Sequence, residues 1–550
     1  MIGKILQGIK ETPMTISGWM AGFVGIFFVR YLFESLSNPT SSGIIPSDVY
    51  TVVHVGLFFL CVTLGTSCIV GFFSRDYINS AKIVLFALPA IWIAPIIDIF
   101  LSHGKGFKMT YIFDTSSRLL LDFLTFFGPN LDHGATYGIR IGILIILCGV
   151  VWYLWTSTKN LSRTILGGIV VYAFGFIMAS IPGILYTLSH VTYGSENLPE
   201  VLSYLEKIVT GSNISHNTLR EGVSFVSTTR FFELGFDKLI SQILFILSCL
   251  FATILFWEID RKKFGAIIKN MRLERIGSYL TLLLCGSGFA YLNQLGGQFV
   301  WVDVLGFLCL IFSWIGLWMY AVHSNDIADV DIDLISNTER PLVKKVVDEK
   351  NMRETGYVWL ALALLGSWCA GFYPFFMSLV YVFTSHIYSA PPLRLRRFPM
   401  VSSFLIGVAC LATVLAGFFF VSMGKQIQIF PMLLSIGIVV MVTLAINVKD
   451  MKDIEGDTAS GIVTLPILFG KNGARAVGIC FALSFLLVPM FLSFYFLYII
   501  AIPTAIIGYR LVNRKPYHEE PIFVLRFIFL ALVGLLYFGI YWLGHIYNLM

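Results

Sequence analysis

Six aspartates, in two sets with the same spacing, are the side chains of this sequence best suited to chemistry. The first set follows the apolar run 302–322 as Asn325-Asp326-Ile-Ala-Asp329-Val-Asp331-Ile-Asp333, with Arg340-Pro341-Leu342 close behind. The second reads Asn447-Val-Lys449-Asp450-Met-Lys452-Asp453-Ile-Glu455-Gly456-Asp457. Asp326, Asp329 and Asp333 fall at i, i+3 and i+7, and so do Asp450, Asp453 and Asp457. On a helix each triad lines one face, while Asp331 points elsewhere. Like charges this close repel unless something positive lies between them. Placing them at the end of a membrane span adds to the cost, so a functional role is the default reading. Mg²⁺ is the natural neutraliser, a hard cation that takes carboxylate oxygens and leaves room for substrate phosphates. Two triads on one side make a site for two metals or one heavily charged ligand. The alternative is a pair of solvated acidic loops, against which stand the shared spacing, side and helix-end position.

The elements that must position these residues are membrane helices. Of 550 residues, 57% are hydrophobic and 13% charged, with a mean hydropathy of +0.82. Many apolar runs exceed the length needed to span a bilayer, and short-period alternation is absent, so helices rather than a barrel are expected. Residues 1–264 carry about six apolar segments, near 15–36, 50–73, 82–102, 139–156, 164–189 and 238–257. A basic link, Glu258-Ile-Asp-Arg261-Lys262-Lys263, sets the domain boundary near residue 265. Residues 265–550 carry about nine more, near 275–293, 301–322, 355–372, 374–389, 401–421, 429–447, 473–488, 489–508 and 524–545. Basic residues concentrate in alternate loops of this second half, which by the positive-inside rule puts both aspartate sets on the cytoplasmic side. The long stretches 103–138 and 190–237 then face outward. The net charge of +6 resides in these short loops and gives no case for nucleic acid. All nine cysteines lie in apolar runs without a CxxC pair, so neither a disulfide framework nor a zinc site is indicated. The first apolar run lacks a small-residue cleavage site after it, so no cleavable signal is expected.

A reaction class follows from the charges. Carboxylates alone repel phosphate, whereas carboxylates bridged by Mg²⁺ bind a diphosphate, and Arg340, Lys449 or Lys452 can hold its remaining oxygens. If the diphosphate ends an allylic prenyl chain, that stabilisation makes it a good leaving group, and an acceptor attacks the resulting cation. The apolar tail then lies among the helices.

Over about residues 265–550 the chain resembles the UbiA superfamily of intramembrane prenyltransferases. Asn325-Asp326-x-x-Asp329-x-x-x-Asp333 with Arg340-Pro341-Leu342 resembles its first aspartate-rich motif. Lys449-Asp450-x-x-Asp453-x-Glu455-Gly456-Asp457, followed by Gly461-Ile-Val-Thr464-Leu465-Pro466 and Gly470, resembles its second. Tyr388-Ser-Ala-Pro-Pro-Leu-Arg394 is similar to the segment between the family's fourth and fifth helices. The resemblance implies an all-α polytopic membrane protein: a UbiA-like nine-helix bundle with an additional N-terminal multi-helix membrane domain. It implies that Asp326, Asp329, Asp450 and Asp453 bind Mg²⁺-diphosphate, with Asn325, Asp333 and Asp457 in support. Arg340, Lys449, Lys452 and Arg394 would contact phosphate, and Tyr388 would lie near the reacting carbon. Glu455 and Asp331 read equally well as solvated bystanders. The second motif is most similar to the branch with digeranylgeranylglyceryl phosphate synthases, chlorophyll synthases and homogentisate prenyltransferases. The expected partners are a prenyl diphosphate donor, membrane lipids, and a lipid or aromatic acceptor, with a glycerol-lipid phosphate preferred. One departure stands out: the family often has Gly a few residues after Arg-Pro, where this chain has Lys344-Lys345.

No motif of that strength precedes residue 260, and no protein partner is assigned to the first half. Asp98 and the pair Arg30 and Glu34 lie in apolar runs, where charge points to function, with a helix-packing contact as the alternative. Trp152-Tyr153-Leu-Trp155 reads as an interfacial anchor. Asn213-Ile-Ser215 matches a glycosylation acceptor. The half is either a domain serving the prenyltransferase or a separate transport or lipid-binding module fused to it.

Overall fold

Apolar runs of this length fold as helices because hydrocarbon offers the backbone no hydrogen-bonding partner other than itself. The computed structural model describes residues 2–37, 49–101, 111–112, 117–128, 135–189, 205, 208, 228–293, 295–296, 299–422 and 427–546. Asn213 and most of the two long stretches expected to face outward lie outside the described residues. Twelve of the described helices are long and apolar enough to cross a membrane, and the protein is an all-α polytopic membrane protein. By their contacts the described residues form two compact units, divided between Arg261 and Lys262.

The first unit holds six of the twelve spans, from Ile16–Glu34 to Gly235–Ile259. The run 164–189, expected as one span, is two helices, Leu161–Ala179 and Ile181–Ser189, with Ser180 between them. Pro182, which has no N–H to give, sits in the first turn of the second. The charged groups here take partners within and between helices. Arg30 and Glu34 pair at 2.8 Å on one helix face. Asp98 accepts from the Thr136 hydroxyl at 2.6 Å and the Gly138 N–H at 2.9 Å, so it fastens the start of the Tyr137–Thr158 helix. His54, buried on the Val49–Ser74 helix, bonds Asp237 through Nδ1 and the Tyr111 hydroxyl through Nε2, both at 2.6 Å. Tyr153 corrects the anchor expectation: its side chain is fully buried in a core with Leu154 and Val70, while Trp152 is half-buried and Trp155 exposed. The helix turns the aromatic positions to different sides.

The second unit contains nine helices of 14 or more described residues: Leu273–Leu292, Trp301–Ala328, Glu349–Ala370, Phe372–Ser389, Val401–Val421, Met432–Ala445, Gly473–Phe491, Tyr498–Val512 and Glu520–Ile546. The two closely linked pairs break at Gly371 and after Phe491. In its core the Leu273–Leu292 and Val401–Val421 helices touch backbone to backbone. A Cβ on Gly286 would run into the Val414 carbonyl oxygen, and one on Gly417 into that of Leu283. Small residues at such crossings let membrane helices approach closely enough for van der Waals packing to hold them. Trp314 donates to the Thr413 hydroxyl at 2.9 Å beside this crossing. Gly286→Val or Gly417→Val should therefore cost about 3 kcal/mol, read as a lower midpoint of thermal unfolding in detergent, while Gly288→Val, which meets nothing within 4 Å, should have little effect.

Candidate functional site

The first aspartate set does not lie on one uninterrupted helix. The Trp301–Ala328 helix ends at Ala328, Asp329 forms its cap, and a short helix, Val330–Ser336, continues. Backbone bonds nonetheless carry through the joint: the Asp329 N–H donates to the Asn325 carbonyl and the Asp333 N–H to that of Asp329, both at 2.9 Å. The three carboxylates consequently keep a common side and are buried, while Asp331 is exposed. The second set is carried by a 3₁₀ turn, Ile446–Met451, and a short helix, Ile454–Ala459. Asp450 and Asp457 are buried, Asp453 is half-buried and Glu455 exposed. The two segments meet at Gly456, where a Cβ would strike the Ser336 hydroxyl and come within 3.1 Å of the Ile332 carbonyl oxygen.

Guanidinium groups neutralise this acidity. Asp326 accepts from Arg340 at 2.7 Å, from Arg272 at 2.8 Å and from the Asn270 amide at 2.7 Å. The same Arg340 nitrogen also bonds Asp333. Arg396 spans the two sets, donating to Asp329 with one nitrogen and to Asp457 with the other at 3.0 Å. The Asn337 amide joins them again, donating to Asp333 at 3.1 Å and Asp453 at 3.0 Å. Burial pushes the Asp333 carboxyl up to about 7 against the pull of Arg340, and that of Asp457 up to about 6 against Arg396. Each therefore holds on to a proton more readily than an exposed aspartate. Arg272 and Arg394 reach these carboxylates from left-handed backbone, with φ of 55° and 41°. Lys345, in the loop where the family often has Gly, is also left-handed at φ 53°.

A cavity opens beside the carboxylates. Seven basic side chains line it (Arg272, Arg275, Arg340, Arg396, Lys449, Lys452 and Arg526), against two carboxylates, Asp450 and Asp453. Asn325 and Tyr388 also face it, and Tyr279, Leu282, Trp318, Tyr381 and Leu405 make its apolar wall. The Lys449 ammonium bonds the Tyr388 hydroxyl and sits 4.6 Å from the centre of its ring. Glu519 accepts from Lys452 at 2.7 Å and from Arg275. The residues expected to form one metal set are thus in two layers. Asp450 and Asp453 face the cavity, whereas Asp326, Asp329, Asp333 and Asp457 are held behind it by arginines. Among the described residues no three Asp, Glu, His or Cys side chains converge on a common point for a metal ion. Arg394, expected at phosphate, instead bonds the Ala328 carbonyl at 2.9 Å and Asp329 at 3.0 Å, away from the cavity lining. Sequence spacing missed Arg272, Arg275, Arg396 and Glu519. In sequence the basic link before residue 275 and the pair Arg396-Arg397 read as topology signals, and within that run only Arg394 reads as a phosphate contact.

The UbiA prenyltransferase family model matches residues 281–545. The carboxy-terminal half of the chain belongs to that family. A digeranylgeranylglyceryl phosphate synthase of Thermococcus kodakarensis is 28% identical over 222 residues, covering 38% of this chain and 78% of its own length. A chloroplast chlorophyll synthase of Oryza sativa subsp. japonica is 31% identical over 207 residues, covering 35% of this chain. The chain spans about half the length of that relative, 52%. The solved structure of a UbiA homolog from Archaeoglobus fulgidus bound to GPP and Mg²⁺ aligns with 50% of this chain and 99% of its own, at 16% identity and a TM-score of 0.39.

Two substitutions probe this UbiA site. Lys345→Gly relieves left-handed strain and should stabilise the protein by about 1 kcal/mol, measured as a raised unfolding midpoint in detergent. Gly456→Val should part the two acidic segments and destabilise the protein by about 2 kcal/mol, measured as a lowered unfolding midpoint.

Proposed function

We propose that the carboxy-terminal half transfers a prenyl group from a polyprenyl diphosphate to a membrane-associated acceptor in a Mg²⁺-dependent reaction. The observation that carries this reading is the polarity of the cavity: six of its seven cations crowd one end, and aromatic and aliphatic side chains wall most of the rest. A diphosphate with a hydrocarbon tail has the same two-part character. Arg275, Lys449 and Lys452 supply the donors for its oxygens, and Tyr279, Trp318 and Leu282 enclose the tail. The apolar wall also excludes water, which would otherwise capture an allylic cation.

Mg²⁺ binds by one or two carboxylates and completes its shell with water and phosphate. Asp450 and Asp453 offer that donor set beside the cations, so the residues fit one ion at this place. Asp326 could contribute only if Arg340 and Arg272 let go of it. When bound, Mg²⁺ supplies further neutralisation of the diphosphate as it leaves. Lys449 and Tyr388 form a hydrogen-bonded pair at the junction of polar and apolar walls, which supports placing them at the departing oxygen. The basic loops at this end support a cytoplasmic site. For the acceptor we favour a glycerol-lipid phosphate, as in the name of the Thermococcus kodakarensis relative. An aromatic acceptor of the chlorophyll, quinone or tocopherol type is the second reading, supported by the equally similar chlorophyll synthase.

Asp450→Ala should lower prenyl transfer at least about 1000-fold without reducing the amount of folded protein, measured as Mg²⁺-dependent diphosphate release by the purified full chain. Wild-type rates in that variant would overturn the assignment. Chelation with EDTA should stop turnover, and added Mg²⁺ should restore it. Glycerol-lipid phosphate, hydroxybenzoate, homogentisate and naphthoate, each tried as acceptor, separate the two readings.

A further inference from the structure

Six of the seven cavity cations gather where the two acidic segments meet; the seventh, Arg526, stands apart. It lies on the last helix, Glu520–Ile546, inside a segment long and apolar enough to cross the membrane. Glu519, which holds Arg275 and Lys452, is seven residues earlier, so Arg526 is about 10 Å further along the helix axis. Phe523, four residues from Glu519 and carrying the Arg275 guanidinium 5.4 Å from its ring centre, lines the cavity between them. At its own level Arg526 neighbours Cys410 and Tyr279, which line the cavity with it and carry no charge. Among the described residues no carboxylate is paired with it. A charge inside a span is costly, and such residues pair with a counter-charge or serve a ligand. An arginine that only covered apolar surface would send its head to the membrane boundary; this one stays in the cavity wall.

We propose that Arg526 is the specificity-determining residue for the acceptor: it binds an oxyanion carried by the acceptor, so this enzyme selects anionic amphiphiles over neutral ones. This rests on the prenyltransferase reading above. The donor diphosphate is served by Arg275, Lys449 and Lys452, and Arg272, Arg340 and Arg396 are held by aspartates, so Arg526 is left for the second substrate. Phosphate monoester and carboxylate share the required chemistry, and a guanidinium can bind either with two parallel hydrogen bonds.

The test uses the purified full chain with Mg²⁺ and a C20 prenyl diphosphate. Acceptors come in matched pairs: geranylgeranylglyceryl phosphate against its dephosphorylated alcohol, and 4-hydroxybenzoate against 4-hydroxybenzamide. The wild type should prefer the anionic member of one pair, and which pair identifies the source of the oxyanion. Arg526→Gln should raise KM for that acceptor about 10- to 100-fold and erase the preference, with Arg526→Lys intermediate. Affinity for an unreactive prenyl S-thiolodiphosphate should change less than twofold, which also reports intact folding. An unchanged preference in Arg526→Gln, a wild type that transfers to neither anionic acceptor, or a matching loss of thiolodiphosphate affinity overturns the assignment. The first and third of these leave the prenyltransferase reading standing. A wild type that releases no diphosphate from any prenyl donor sinks both.

Discussion

The site depends on arginine bridges between buried carboxylates. Four aspartates are almost wholly removed from solvent, and burying a charge without a partner costs several kcal/mol. Arg340 joins two of them within the first motif, and Arg396 joins the first motif to the second. Breaking either bridge leaves uncompensated charge at a helix joint, so the bridges fix where the chain bends. The left-handed backbone at Arg272 and Arg394 is held by the same contacts. Gly456 answers the same requirement from the steric side, because guanidinium contacts on both segments need the segments to touch.

A gradient of polarity follows. Behind the bridges the carboxylates are spoken for, so the surface presented to the cavity is mostly positive. Beyond Tyr388 it becomes aromatic and aliphatic. The close crossing at Gly286 and Gly417 anchors the helix that carries Arg275, Tyr279 and Leu282, and with it the line along which polarity changes. One helix thus presents both a cation and an apolar surface to the cavity.

Much of this was legible in the sequence. Apolar run length gave the helices, because nothing but a helix satisfies backbone in hydrocarbon. The i, i+3, i+7 spacing correctly grouped Asp326, Asp329 and Asp333 and set Asp331 aside, even though the helix is interrupted at Asp329. What spacing could not reveal is which partner a carboxylate takes. Arg396 is 67 residues from Asp329 and 61 from Asp457, and no local pattern encodes a contact at that separation. The six aspartates therefore looked equivalent in sequence, yet two face the cavity and four face arginine. Breaks inside apolar runs were also obscure: Ser180 splits a run of unchanged hydropathy, with Pro182 as the one local sign. Tyr153 shows the same limit, since an aromatic cluster reads as a boundary marker whether its rings face lipid or core.

Glu519 has a consequence for ligand discrimination. Its carboxylate already rests on Arg275 and Lys452, so an arriving anion does not meet bare cations but must exchange with a tethered one. A singly charged ion gains little by such an exchange. A diphosphate, with more charge and more oxygens to place, gains enough to complete it. On the function proposed above, the tethered carboxylate acts as a threshold that a small singly charged anion does not cross.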